Sequence, residues 1–245
     1  MKSLLSHGVN MLSLIYLFLF SILFEFFIYW YLGFLGLGRR MKFDDLMRIH
    51  NQLYGRFIIR ILWPVVKLEK SGEENLPCCG PCMLVANHRS FCDIIFSAFI
   101  PIKNVVVFIR SWPFRLRIFG WYMRKAKYMD IESTTFPEAL EKVHGFFKRN
   151  LSFLFFPEGH RSPDGKLQPF HSGAFILAAR FNMPVVPVCM KGTEKITLKK
   201  APFIRPAKVH IHFLPPIHPS SFDEENRAYK LKKKAEQAFR EYLGE

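Results

Sequence analysis

In 245 residues, half of them hydrophobic, the chain has the length and apolar content for one sizeable domain plus an appendage, which excludes a polypeptide without a buried core. Its 35 Lys and Arg against 20 Asp and Glu give a net charge of +15, favouring an anionic partner: nucleic acid, a phospholipid surface or a phosphorylated substrate. The five cysteines, an odd number, suit a reducing compartment in which structural disulfides are not expected.

Residues 11–38, MLSLIYLFLFSILFEFFIYWYLGFLGLG, hold a single charge, Glu25. The run exceeds the roughly 20 apolar residues needed to cross a ~30 Å hydrocarbon layer, so it tilts, breaks or folds back, and Gly33, Gly36 and Gly38 favour a break near its end. It is too long for a signal peptide, and no small-residue cleavage site follows. Arg39, Arg40 and Lys42 come directly after it, so the positive-inside bias predicts a membrane anchor with the main domain on the cytoplasmic side. From Phe43 to Leu68 apolar residues recur at three and four, predicting an amphipathic helix that ends near Trp63 and Pro64. Residues 1–75 thus form a membrane-directed part and 76–245 a separate domain.

Beyond Pro77, short β-branched runs alternate with helical stretches, predicting an α/β domain with a mostly parallel central sheet flanked by helices. The strands are expected at 82–87, 104–109, 151–156, 184–190 and 208–214, with helices at 91–99, 113–124, 136–149 and 172–181. Thr134 or Thr135 caps the third of these helices, and Pro137 lies in its first turn. Ser221 and Glu224 form a capping-box pattern for a last helix running to about Leu243, with Ala228, Leu231, Ala235, Ala238 and Tyr242 as its apolar stripe. Cys78, Cys79 and Cys82 lack a second Cys/His pair at zinc spacing and read as a loop that happens to carry cysteines.

The stretch NHRSFCD, residues 87–93, follows a predicted strand, so His88 falls at the carboxyl end of the sheet, where open α/β sheets bind ligands. In a regular helix, positions five apart are ~140° away from each other, so His88 and Asp93 would not meet there, but they can meet if His88 lies in the turn and Asp93 in the first turn of the helix. A carboxylate on one imidazole nitrogen fixes the tautomer and leaves the other nitrogen to remove a proton. An isolated H-x4-D is more often a helix cap beside an ordinary hydrogen bond. A second stretch, FPEGHRS at 156–162, ends a Phe-rich strand in a turn carrying Glu158, Gly159, Arg161 and Ser162.

Together the two stretches resemble the glycerolipid acyltransferases of the lysophosphatidic acid acyltransferase type. Asn87, His88 and Asp93 match that family's N-H-x4-D motif, and Phe156 to Gly159 with Arg161 and Ser162 match F-P-E-G-x-R-S. The resemblance runs from about Leu76 to Leu214 and includes Val186, Pro187 and Val188 with Gly192. It implies acyl transfer from a thioester, acyl-CoA or acyl carrier protein, to a hydroxyl of a lysolipid acceptor. His88 would be the general base and Asp93 its orienting carboxylate, with no bound cofactor, metal or covalent acyl-enzyme. Arg161 would take a phosphate, Glu158 would accept from a glycerol hydroxyl or organise Arg161, and Gly159 would let the backbone approach closely.

The family's second motif is met by Arg110, Pro113 and Gly120, but YMDIE places Ile131 where an arginine is usual. Either another cation, Arg110, Arg115, Lys125 or Lys127, takes the phosphate, or the acceptor is a different lysolipid. The expected partners are therefore the phospholipid membrane, a lysolipid acceptor and the thioester donor. A non-catalytic basic membrane-binding protein is the alternative class, and no nucleic-acid module is recognisable.

Overall fold

Short runs of Val, Ile, Leu, Met and Phe build the frame of the molecule, seen in a computed structural model that describes residues 23–24, 27–34, 36, 41–62, 65–162, 165–196 and 205–245. The strands are β1 (Val66–Ser71), β2 (Met83–Ala86), β3 (Val106–Ile109), β4 (Met129–Asp130), β5 (Phe153–Phe155), β6 (Val185–Lys191) and β7 (Ala207–Phe213). They form one sheet in the order β1-β7-β6-β2-β5-β3-β4, parallel throughout except for the β6–β7 pair. All four residues of β2 are buried, as a parallel strand covered on both faces requires. Met83 and Val85 face a core with Phe153, Phe175 and Phe239, whereas Leu84 and Ala86 face another with Phe96, Val186 and Ile211.

The helices are α1 (Phe43–Ile61), α2 (Asp93–Phe96), α3 (Ser111–Phe114), α4 (Arg117–Lys125), α5 (Phe136–Phe147), α6 (Gly173–Arg180) and α7 (Arg227–Leu243). Val143 and Phe146 of α5, Leu177 of α6 and Leu231, Ala235 and Phe239 of α7 pack into the first core, and Ile59 of α1 and Phe96 of α2 into the second. The sheet is thus sandwiched between helical layers, the α/β arrangement expected from the alternating pattern.

Several boundaries differ from the sequence reading. The helix expected to end near Trp63 and Pro64 stops at Ile61, and the rest of the 43–68 apolar pattern is no helix: Val66–Ser71 pairs with β7 as an edge strand. There Val66 and Leu68 alternate with Lys67 and Glu69, a period of two that the preceding three-and-four pattern masks. The single helix expected at 113–124 is two, α3 and α4, folded so closely that a Cβ on Gly120 would collide with the Phe114 carbonyl. Ser221 closes a short 3-10 turn, and α7 begins six residues later behind Asn226, whose φ of 58° breaks the chain direction there. Helix α7 also buries Phe239, which the expected stripe omitted. The cap on α5 is Thr135, whose N–H donates to Glu138 Oε2 at 3.1 Å.

Within the apolar run at 11–38, positions 11–22, 25, 26, 35, 37 and 38 lie outside the described residues, as do Arg39, Arg40, Trp63 and Pro64. Residues 27–34 are helical, with Ile28 and Leu32 buried and Phe27, Trp30, Tyr31 and Phe34 exposed. Among the described residues no helix is long and apolar enough to cross a membrane.

Helix α1 is fixed to the domain by a charged cluster. Asp44 and Asp45 accept from Arg48 at 2.9 and 2.5 Å and from Arg149 at 2.8 and 2.6 Å, while Arg48 also donates to the Ala126 carbonyl at 2.6 Å. Burial raises the Asp44 pKa, but the hydrogen bonds from Arg149 and Arg48 outweigh it and hold the carboxyl at about 2, below its ordinary 3.8. Asp45 is lowered too. Because the unfolded state then binds more protons in acid, the contribution is complete above pH 3.8 and lost as the pH falls through about 2. Urea unfolding followed between these limits should show the midpoint falling with pH, and Asp44→Asn should flatten that slope.

Candidate active site

Strands β2, β5 and β3 are neighbours and parallel, so the turns that follow them open on one edge of the sheet. Four of the expected site positions, His88, Glu158, Gly159 and Arg110, lie in the turns leaving these strands, with Arg161 and Ser162 just beyond.

The β2 turn begins with Asn87, whose side chain carries the pairing with β6 one residue past the strand. Its Nδ2 donates to the Met190 carbonyl at 3.0 Å and its Oδ1 accepts from Met190 N–H at 2.7 Å. His88 then leaves the sheet, and Asp93 is the first residue of α2, the turn-then-helix geometry that brings positions five apart together. His88 Nδ1 lies 2.9 Å from Asp93 Oδ2. The same oxygen accepts the backbone N–H groups of Arg89 and Ser90, each at 2.7 Å, so the carboxylate organises the loop as well as the imidazole. Asp93 is fully buried, and the His88 side chain is 21% exposed. The carboxylate sets the Nδ1–H tautomer, and the other ring nitrogen has no hydrogen-bond partner among the described residues. The Phe156 ring backs the imidazole at 4.7 Å between centroids.

Glu158 occupies a different place from the one expected of it. It is 1% exposed, and its two oxygens accept the backbone N–H of His88 at 2.6 Å and of Gln168 at 2.9 Å. It therefore ties the β5 turn to the β2 turn rather than reaching toward an acceptor hydroxyl or Arg161. Burial pushes its carboxyl pKa up, against the lowering effect of those two amides and of His88. A second tie is made by Ser162, which donates its backbone N–H to the His88 carbonyl at 2.8 Å. Gly159 sits at φ 72°, where a Cβ would also press on the His171 ring at 3.0 Å, so the turn requires glycine. Arg161 is exposed and makes no hydrogen bond or ion pair with the described residues.

Arg110 is committed elsewhere. Its Nε donates to Glu132 Oε1 at 2.6 Å, while Glu132 Oε2 accepts from Ser111 N–H at 2.9 Å. Asp130 Oδ1 accepts from Ser111 Oγ at 2.7 Å and from the backbone N–H groups of Glu132 and Ser133. Glu132 is held below its ordinary range, chiefly by the Ser111 amide and then by Arg110. Asp130 is lowered as well, its hydrogen bonds overcoming the opposing effect of burial. Ile131 lies between them, 38% exposed on the wall of a cavity of about 530 Å³. That cavity is floored by Phe108, Met129, Phe155 and Leu177 and rimmed by Arg110, Glu132, His160 and His171, and Phe156 separates it from His88. Sequence reasoning missed this apolar chamber and the roles of Asn87 and Phe156, since each depends on which strands become neighbours.

Among the described residues the arrangement offers an oriented imidazole with one nitrogen free of hydrogen bonds, a guanidinium without a partner two residues past a glycine turn, and an apolar chamber that reaches the Phe156 ring packed on His88. Cys82, the third of the clustered cysteines, is buried at the start of β2 while Cys78 and Cys79 are exposed, and among the described residues no three His, Cys, Asp or Glu gather as a metal site would need.

Comparison with known proteins places this geometry. The chain is 38% identical over 142 residues to a chloroplastic 1-acyl-sn-glycerol-3-phosphate acyltransferase of Brassica napus, covering 55% of this chain and 40% of that protein. It is 34% identical over 191 residues to the corresponding chloroplastic protein of Arabidopsis thaliana, covering 75% and 53%. The chain thus spans about half the length of these curated relatives. The crystal structure of the 1-acyl-sn-glycerophosphate (LPA) acyltransferase PlsC from Thermotoga maritima superposes with a TM-score of 0.68 at 25% identity, over 82% of this chain and 80% of that one. The family model described as Acyltransferase matches residues 67–191, which contain His88, Asp93 and the whole FPEGHRS turn, and the chain belongs to the acyltransferase family.

Proposed function

We propose that the protein is a membrane-associated O-acyltransferase that moves a fatty acyl group from acyl-CoA or acyl carrier protein to the free hydroxyl of 1-acylglycerol-3-phosphate, giving phosphatidic acid. The observation that carries the reading is the 2.9 Å His88–Asp93 contact at the sheet edge, beside a largely apolar cavity, in a chain of this family. The free imidazole nitrogen takes the proton of the acceptor hydroxyl as its oxygen attacks the thioester carbonyl carbon. The resulting tetrahedral centre collapses, the carbon–sulfur bond breaks, and the imidazolium returns its proton to the leaving thiolate. Asp93 holds the ring and balances the transient positive charge. The acyl chain fits the apolar chamber, and Arg161 pairs with the acceptor phosphate through its planar donors. Membrane association, with the domain on the cytoplasmic face, rests on the apolar run at 11–38 and the basic residues after it.

A second reading has a specific observation behind it. Arg110 is neutralised by Glu132, Ile131 stands where an arginine is usual, and Asp130 and Glu132 hold negative charge at the cavity. Those carboxylates suit an acceptor with a cationic head, a lysophospholipid or lyso-aminolipid. Incubating purified protein with one acyl-CoA and a panel of lysolipids, with products identified by mass spectrometry, separates the two. Lysophosphatidic acid should be acylated faster than zwitterionic lysolipids by about tenfold or more. Absence of phosphatidic acid alongside an acylated zwitterionic lipid would replace the first reading with the second.

A further inference from the structure

We infer that the α3–α4 hairpin, residues 111–125, is a docking surface of its own for an anionic lipid bilayer and lays the active-site edge against the headgroup layer. The inference rests on the proposed membrane reaction and adds to it a contact outside the N-terminal apolar run. Exposed large side chains collect on this hairpin: Trp112, Leu116, Ile118, Phe119 and Trp121, with Ile118 69% and Phe119 57% accessible. Leaving so many large apolar groups in water at one place marks an interaction surface.

Charge selects the occupant. Between Asp93 and Asp130 the chain has no Asp or Glu, whereas Arg115, Arg117, Arg124 and Lys125 are all exposed on the hairpin itself. Tryptophan and phenylalanine interleaved with arginine and lysine fit the boundary between acyl chains and anionic headgroups, where rings sit at the interface and cations meet phosphates. Lys125 over the Trp121 ring, at 5.9 Å, is a local instance of the two interleaved.

Position connects the surface to both the anchor and the site. Tyr122 of α4 hydrogen-bonds Tyr29 at 2.8 Å, with His50 stacked on both rings, so the hairpin packs against the 27–34 helix, on which Phe27, Trp30 and Phe34 are also exposed. At its other end the hairpin's Trp112 lies 6.2 Å from the ring of Phe91, itself exposed and two residues before Asp93. An acceptor lipid lying in the bilayer would reach His88 along this side without its acyl chain crossing water. Gly120, packed against the α3 carbonyl, keeps the hairpin tight enough to present its apolar groups together.

The test uses the full chain carrying Trp30→Phe and Trp63→Phe, which leaves Trp112 and Trp121 as the only tryptophans. Vesicles of phosphatidylcholine with about 30 mol % phosphatidylglycerol, made with or without dibrominated acyl chains, serve as the probe. Emission should fall by about half with the brominated lipid, and less without the anionic lipid. Adding Ile118→Asp and Phe119→Asp should remove the quenching while leaving turnover of a soluble short-chain acceptor unchanged. Equal emission from brominated and plain vesicles, or quenching that survives the two aspartates, overturns the docking surface. Loss of soluble-acceptor turnover in the parent chain would instead strike at the enzymatic reading and leaves the quenching result to stand on its own.

Discussion

His88→Ala is expected to lower the rate of acyl transfer about a thousandfold or more while leaving the fold and membrane binding in place. A thousandfold is about 4 kcal/mol of transition-state stabilisation. The structure explains why so large a loss of rate need not carry a loss of stability. The bond that links the two motif turns leaves from His88 N–H to Glu158, and the return bond enters at the His88 carbonyl from Ser162, so both survive removal of the side chain. Asp93 keeps the Arg89 and Ser90 amides. The ring is partly exposed, so the space it leaves fills with water. Steady-state rates and thermal unfolding measured on the same preparation check this. Turnover within tenfold of the parent would remove His88 from the role of base.

The sheet was legible in the sequence because its strands are short β-branched and aromatic runs whose two-sided burial leaves few alternatives. The expected ranges 82–87, 151–156 and 184–190 enclose or overlap β2, β5 and β6. The His88–Asp93 contact could also be anticipated, since a strand-to-helix bend can bring together positions five apart that a regular α-helix separates. What failed were features decided by distant partners. β1 is too close to α1 for its period of two to stand out and is defined by pairing with β7, 141 residues away. β4 is two residues long and exists only through β3. Glu158 reads in sequence as a charged residue beside an arginine. It becomes a buried acceptor of two amides only because β5 lies next to β2 and brings the His88 turn within 2.6 Å. Arg110 and Glu132 are 22 residues apart, and the parallel pairing of β3 with β4 brings them together.

Asp93→Asn is expected to cost between about a hundredfold and ten-thousandfold in kcat with little change in KM, because it removes a charge whose value rises only when the imidazole is protonated. At an effective dielectric of ~20, unit charges about 4 Å apart interact by roughly 4 kcal/mol, which is three powers of ten in rate if the ring is fully charged in the transition state. Asparagine can keep the loop: with its carbonyl in the place of Oδ2 it still accepts the Arg89 and Ser90 amides, at 2.7 Å in the parent. Its amide nitrogen would then fill the place of Oδ1, which has no hydrogen-bond partner among the described residues, so one buried donor goes unsatisfied. The flipped rotamer is worse, since it turns an N–H toward two backbone donors and forces the opposite imidazole tautomer, blocking the nitrogen that must accept a proton. Asp93→Ala, by contrast, strands the His88 ring and both amides, and should lose stability by about 2–4 kcal/mol as well as rate. The pair of variants therefore separates scaffold from chemistry: Asn should lose less stability than Ala and turn over as poorly. If Asn retained full kcat, the carboxylate would be serving only as the hydrogen-bond acceptor that shapes the turn.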